Sequence, residues 1–186
     1  LKRLKRELGL AFLFVTHDQE EALSMSDRVV VMQQGRIEQT GTPREVYETP
    51  ATLFVARFVG ETNLFTGVIE EILPDDRLIA TLAGRCCTLR SRGRSFHVGQ
   101  PIHVMLRPED MRLGEPGQAE GWEGQILERN YKGMTLESLV QLDNGQQVLA
   151  SEFFDESYPD FDHGLGERVV VNWVPEWEWI IADEKP

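Results

Sequence analysis

Apolar residues follow two different rhythms along this chain of 186 residues. Up to about Gly60 they alternate between long unbroken runs and helical spacing. Leu1, Leu4 and Leu8 fall on one helical face with Lys2, Arg3, Lys5 and Arg6 around it, and Gly9 supplies the C-cap. The pattern starts on Leu rather than Met and reads as a piece cut within a helix. Residues 10–15 form a continuous apolar run, which predicts a strand buried on both faces. After Thr16-His17-Asp18, the pattern predicts a helix over 19–25 and a second buried strand over 29–32. A turn at Gln33-Gln34-Gly35-Arg36 then leads into 37–39. Thr42-Pro43-Arg44-Glu45 has the form of a capping box with proline at the first helical position, and another short helix is expected over 52–59. Strand, helix, strand and helices in this order imply an α/β arrangement.

Beyond Asn63 the rhythm shortens. Alternating or β-rich runs at 64–72, 78–82, 86–89, 102–106, 124–129, 136–142, 147–151, 169–174 and 178–182 are separated by turn residues, as in a barrel or sandwich. Residues 99–109 and 166–176 also run in register, each going from Gly to Pro-Glu in ten steps, so one small β unit occurs twice. A Gly-led strand opens each copy, at Gly67 and at Gly124. The interval to the next marker glycine is 32 positions in the first copy and 42 in the second. The extra residues are expected within 151–164, where Glu152, Asp155, Glu156, Asp160 and Asp162 alternate with Phe153, Phe154, Tyr158 and Phe161.

Charge supports a boundary at the change of rhythm. Residues 1–60 hold eight basic and eight acidic side chains, whereas 61–186 hold 11 basic and 23 acidic, so the whole net charge of −12 lies in the second part. Such a surface repels nucleic-acid phosphates and attracts cations, polycations included. The apolar fraction of 41% describes a globular chain, and no run is long enough to cross a bilayer as a helix. Cys86 and Cys87 are adjacent, which gives no disulfide framework and no CxxC metal spacing, and they read as reduced thiols. No metal site is expected, since His97, His103 and His163 lack metal spacing with one another or with the cysteines.

A Thr-His-Asp at the C-terminal end of a buried strand stands where open α/β sheets hold ligands. There His17 can donate to a phosphate or polarise a water, or it merely caps the helix that follows. A metal-binding His17-Asp18 pair of a phosphohydrolase would need further histidines that this chain lacks.

The residues from Val15 to Leu23, Asp27 to Met32 and Gly35 to Pro43 closely resemble the switch-histidine region and tail of ABC importer ATPases. Those from about Asn63 resemble the oligomer-binding-fold accessory domain, TOBE, that follows the ATPase in sugar, anion and polyamine importers. Arg129 to Ser138, Ser151 to Phe154, Pro159 to His163 and Asn172-Trp173-Val174 are similar to the spermidine/putrescine branch. The resemblance implies an α/β tail of a P-loop ATPase over 1–60. It implies an all-β, oligomer-binding-fold-like TOBE domain of two similar units over 61–186. It makes His17 the catalytic residue that senses the γ-phosphate in the intact subunit, and places Asp18 near the partner subunit. It also implies ATP and Mg2+ as cofactors of the full-length subunit, a second copy of that subunit, two membrane permease subunits and, indirectly, a periplasmic polyamine-binding protein. The place of action would be the cytoplasmic face of the inner membrane, peripherally bound.

The 186 residues contain no G-x-x-x-x-G-K-[ST] loop, no Leu-Ser-Gly-Gly-Gln and no apolar strand ending in Asp-Glu, so they are expected to be inactive alone. Unpaired edges in the first 60 residues are expected to lead to chain exchange, dimerisation or local disorder. The acidic, aromatic insert suggests a regulatory polyamine site at Glu152, Asp155, Glu156, Asp160 and Asp162, against the plainer reading of a solvated loop with packed aromatics. Two further readings remain: an ATPase subunit serving another substrate, and a stand-alone module that binds a small ligand.

Overall fold

A computed structural model of the chain describes residues 9–117, 120–154 and 163–182, together with Leu4 and Glu7. It divides into two compact units, Leu1–Glu61 and Thr62–Pro186.

In the first unit, α1 (Gln19–Met25) begins at Asp18, whose carboxylate accepts from the Glu21 N–H. Strands β1 (Val29–Gln33) and β2 (Arg36–Gly41) form an antiparallel hairpin. Gln34 and Gly35 take φ of 48° and 78°, the pair of positive values a two-residue hairpin of this hand requires. Helix α2 (Pro43–Glu48) opens on the expected capping box: Thr42 Oγ1 accepts from Glu45 N at 3.2 Å and Glu45 Oε2 accepts from Thr42 N at 2.7 Å. Helix α3 (Leu53–Phe58) is capped by Thr52. Val31, Val46, Val55 and Val59 form the small core, with Leu23, Val29, Tyr47 and Phe54 against it.

Two expectations fail here. Residues 10–15 form no strand, and Leu13 and Val15 are almost fully exposed. An apolar run becomes a parallel strand only when neighbours complete its hydrogen-bond ladder, and no described strand pairs with this one. The second run is a strand, but it is not buried on both faces: Val31 is buried whereas Val30 and Met32 are exposed, because β2 is its only ladder partner. Among the described residues this unit has no parallel pairing. The expected opening helix falls mostly outside the described residues.

The second unit is two five-stranded antiparallel sheets. One runs β5-β4-β3-β6-β12 and the other β10-β9-β8-β11-β7 when read from the corresponding edges. Their strands are β3 (Asn63–Leu73), β4 (Arg77–Leu82), β5 (Arg85–Arg90), β6 (Pro101–Leu106), β7 (Met111–Gly114), β8 (Trp122–Tyr131), β9 (Thr135–Leu142), β10 (Gln147–Phe153), β11 (Arg168–Trp173) and β12 (Trp179–Ala182).

The duplication seen in the sequence is exact at the backbone. Ile69 N donates to Gln100 O and Gly99 N to Ile69 O; Ile126 N donates to Glu167 O and Gly166 N to Ile126 O. The register shifts just after Ile69 in β3 and just after Ile126 in β8. Gly67 and Gly124 sit so close to the neighbouring strand that an added Cβ would lie 2.5 Å from Thr81 O or 2.7 Å from Gln141 O. These glycines are therefore required by close approach of two backbones.

The copies also exchange their last strands. After β6 the chain turns through a short 3-10 helix at Pro108–Asp110, and β7 joins the sheet of the second copy by pairing with β11. After β11 the chain turns at Pro175-Glu176, and β12 returns to pair with β6 of the first copy. Each sheet is thus completed by the other repeat. Phe65, Trp122 and Trp173 stack in series between them, with ring centroids 4.5 and 5.4 Å apart. Asn63, almost fully buried, ties β3 to β10 by donating to Leu149 O and accepting from Leu149 N, both at 2.8 Å. Trp173 donates its indole N–H to the buried Glu178, which also accepts from Arg90 N.

Candidate functional site

His17 lies on the exposed segment between the apolar run and α1. Its surroundings are built by its neighbours. Thr16 Oγ1 accepts from Asp18 N at 2.9 Å and stands 3.1 Å from Glu21 Oε2, and Asp18 Oδ1 accepts from Glu21 N at 3.0 Å. Asp18, not His17, therefore caps the helix, which overturns the plain reading of the histidine as a cap. The imidazole is left facing solvent at the start of a short helix whose backbone it does not serve.

The second group of predicted residues sits at the end of β10. Glu152 Oε1 accepts from Leu113 N at 3.2 Å, so its carboxylate bridges to the exchanged strand β7. Burial raises its pKa, opposed by that hydrogen bond and by Arg112, Arg129 and His163. Glu152 is thus engaged with the protein's own backbone. Asp155, Glu156, Asp160 and Asp162, together with Tyr158 and Phe161, lie outside the described residues. At the base of the insert, Phe153 is exposed, while Phe154 meets Tyr131 edge-on with centroids 4.9 Å apart. Tyr131, Met134 and Phe153 are exposed. Of the insert's four aromatics only Phe153 and Phe154 are among the described residues.

A cavity of about 770 Å³ lies elsewhere, lined by Arg85, Arg90, Arg112, Asn172, Trp173 and Glu176 among others. Two of its four arginines are in ion pairs: Arg90 bonds Glu176 at 2.6 Å and Arg85 bonds Glu120 at 3.1 Å. The Glu176 carboxylate beside Arg90 raises the pKa of its guanidinium. Cys86 and Cys87 border this cavity as free thiols, and burial pushes the Cys87 thiol up to about 11, which makes it inert. Arg92 and Arg94 lie over the Trp179 ring, at 5.7 and 4.4 Å from its centroid. No helix among the described residues is long and apolar enough to cross a membrane.

Neither predicted group contains a complete reaction site, so relatives decide what each belongs to. The chain is 57% identical over 184 residues to the spermidine/putrescine import ATP-binding protein PotA of Marinobacter nauticus, covering 99% of this chain and 49% of that protein. It is 55% identical over 188 residues to the protein of the same name from Escherichia coli, covering 100% of this chain and 50% of that one. Along its whole length the chain is similar to these import ATP-binding proteins. It spans about half the length of the relatives it matches, in their C-terminal TOBE region. Within it, residues 104–181 match the TOBE domain model. The cytoplasmic molybdate-binding protein ModG, solved with molybdate bound, aligns with a TM-score of 0.53 at 12% identity, covering 65% of this chain and 96% of that one. That likeness shows the fold alone, an oligomer-binding-like double β unit. The alignment extends through both the His17 segment and the acidic insert.

Proposed function

We propose that this chain is the C-terminal part of the ATPase subunit that powers spermidine and putrescine import. The observation that carries the reading is the 57% identity to a polyamine-import ATP-binding protein along 99% of the chain. In that reading residues 1–60 are the α/β tail of the ATPase domain, and residues 61–186 the accessory domain. ATP and Mg2+ bind in the full-length subunit, whose phosphate loop, signature and Asp-Glu strand lie outside these residues. The subunit works as a pair of copies against two permease subunits, fed by a periplasmic binding protein, at the cytoplasmic face of the inner membrane. His17 contacts the γ-phosphate there, and its solvent-facing ring, free of capping duty, suits that role. These 186 residues alone turn over no ATP.

The substrate class is tested by uptake. A transporter assembled with the full-length subunit is expected to accumulate labelled spermidine and putrescine in an ATP-dependent manner. Uptake of a sugar or an oxyanion instead of polyamine overturns the reading.

Regulation by polyamine is a second element of the proposal, carried by the sequence run in which Asp155, Glu156, Asp160 and Asp162 follow the exposed Phe153. Carboxylates hold ammonium groups while ring faces pack the methylenes. Glu152 contributes by holding β10 to β7 rather than by contacting ligand. Calorimetry with spermidine at low salt is expected to give saturable binding; its absence removes this element and leaves the transport reading intact.

A further inference from the structure

His163 is buried, with only 4% of its side chain exposed, and its Nδ1 points between two carboxylates. Glu167 Oε1 is 3.4 Å away and Glu115 Oε1 3.9 Å. One ligating atom from each of the three lies within 4.8 Å of the others. A charge-assisted hydrogen bond from an imidazolium would draw nitrogen and oxygen to about 2.8 Å. The His163–Glu167 contact is a long hydrogen bond, and both separations leave room for one shared ion between the three groups. With metal–ligand distances of about 2.1 Å, two ligands of a tetrahedral ion stand about 3.4 Å apart.

The carboxylate of Glu167 is oriented for this. Its Oε2 accepts from Gly164 N at 2.5 Å, which leaves Oε1 turned to the histidine and fixes the carboxylate as an outer hydrogen bond does at a metal centre. The half-exposed Glu115 follows β7 and completes an open side to solvent. Glu152 lies near enough to feel His163, and Arg112 and Arg129 offset part of the local negative charge. That balance suits a divalent ion held by two carboxylates and one neutral imidazole. Imidazole nitrogen with carboxylate oxygen selects a zinc-class transition ion over Ca2+ or Mg2+, which prefer oxygen alone.

We infer that Glu115, His163 and Glu167 form a binding site for a Zn2+-class ion, which fastens the end of the exchanged strand β7 to the start of β11. Three protein ligands leave a fourth position for water. The inference is independent of the transport reading, because it rests on the geometry of these three side chains.

The test is Zn2+ titration of the 186-residue chain by calorimetry, with Co2+ absorption as a second probe. One equivalent of Zn2+ is expected, with tetrahedral Co2+ bands and a rise in Tm that grows with free Zn2+. Glu115→Gln, at an exposed position that folding tolerates, is expected to weaken binding at least tenfold with unchanged circular dichroism, and His163→Gln to abolish it. No saturable binding overturns the inference. So does binding that both variants retain, or that Cys86→Ser alone removes, which would place the ion on the thiol.

Discussion

The first β unit joins its third and fourth strands, β5 and β6, through residues 91–100; the second joins β10 and β11 through residues 154–167. Everything that builds the ladder is shared between them: the glycine against the neighbouring strand, the shift of register two residues later and the paired hydrogen bonds to the next marker glycine. What differs carries chemistry. The second connection carries the acidic, aromatic run in its sequence, and its His163 and Glu167 meet Glu115. In the first unit the corresponding connection is stapled down, with Asp76 accepting from Gly93 N and Ser91, and Arg94 lying over Trp179. Backbone requirements were duplicated, while the two connections diverged.

The equivalence is broken most severely at the close approaches. Gly67→Ala and Gly124→Ala each force a Cβ onto a neighbouring backbone oxygen, and each is expected to cost about 3 kcal/mol in denaturant unfolding. A cost below about 1 kcal/mol for either one means that the two ladders are not equivalent. A smaller loss is expected from Asn63→Ala. Removing its side chain strands the buried Leu149 N–H and C=O, at about 2 kcal/mol, measured in the same way. A change within error means that the link between β3 and β10 is dispensable.

The pH dependence separates the two turns that launch the exchanged strands. Asp110 and Trp177 occupy matching positions, each donating its N–H three residues back, to Arg107 O and Val174 O. Burial, aided by Glu109, raises the Asp110 carboxyl from its ordinary 3.8 to about 6. The folded state then holds the proton more tightly than the unfolded one. Its stabilising contribution is full below 3.8 and is lost as pH rises through about 6. Because Asp110 is only half buried, the effect is discounted to about 1 kcal/mol. Asp110→Asn is expected to flatten stability between pH 4 and 6, whereas Trp177 at the matching position carries no titrating side chain. An unchanged slope in the variant assigns the dependence to another carboxylate.

The parts of the fold legible in the sequence are those set by local rules. The capping box at Thr42 and Glu45, the turn at Gln34-Gly35, α1 over Gln19–Met25 and the twofold glycine-to-Pro-Glu pattern all arise from neighbours in the chain. Residues 10–15 misled because an apolar run reports a capacity for burial, while strand formation depends on ladder partners elsewhere. The four-residue strand β7 went unseen because it is too short for an alternation signal, and with it the exchange between sheets. Glu115 and His163 are brought together only by that exchange, so no spacing rule reaches them. At the other predicted site, the sequence singled out His17, but only the geometry of Asp18 frees it from the helix cap.

The central claim is that the His17 segment and the double β unit are two parts of one polyamine-import ATPase subunit, with His17 meeting the γ-phosphate. ATP turnover by the assembled transporter carrying His17→Ala in the full-length subunit tests it most directly. A loss of about 100-fold or more is predicted, the scale for removing one donor from a charged transition state. Turnover equal to the unmodified transporter would contradict the account.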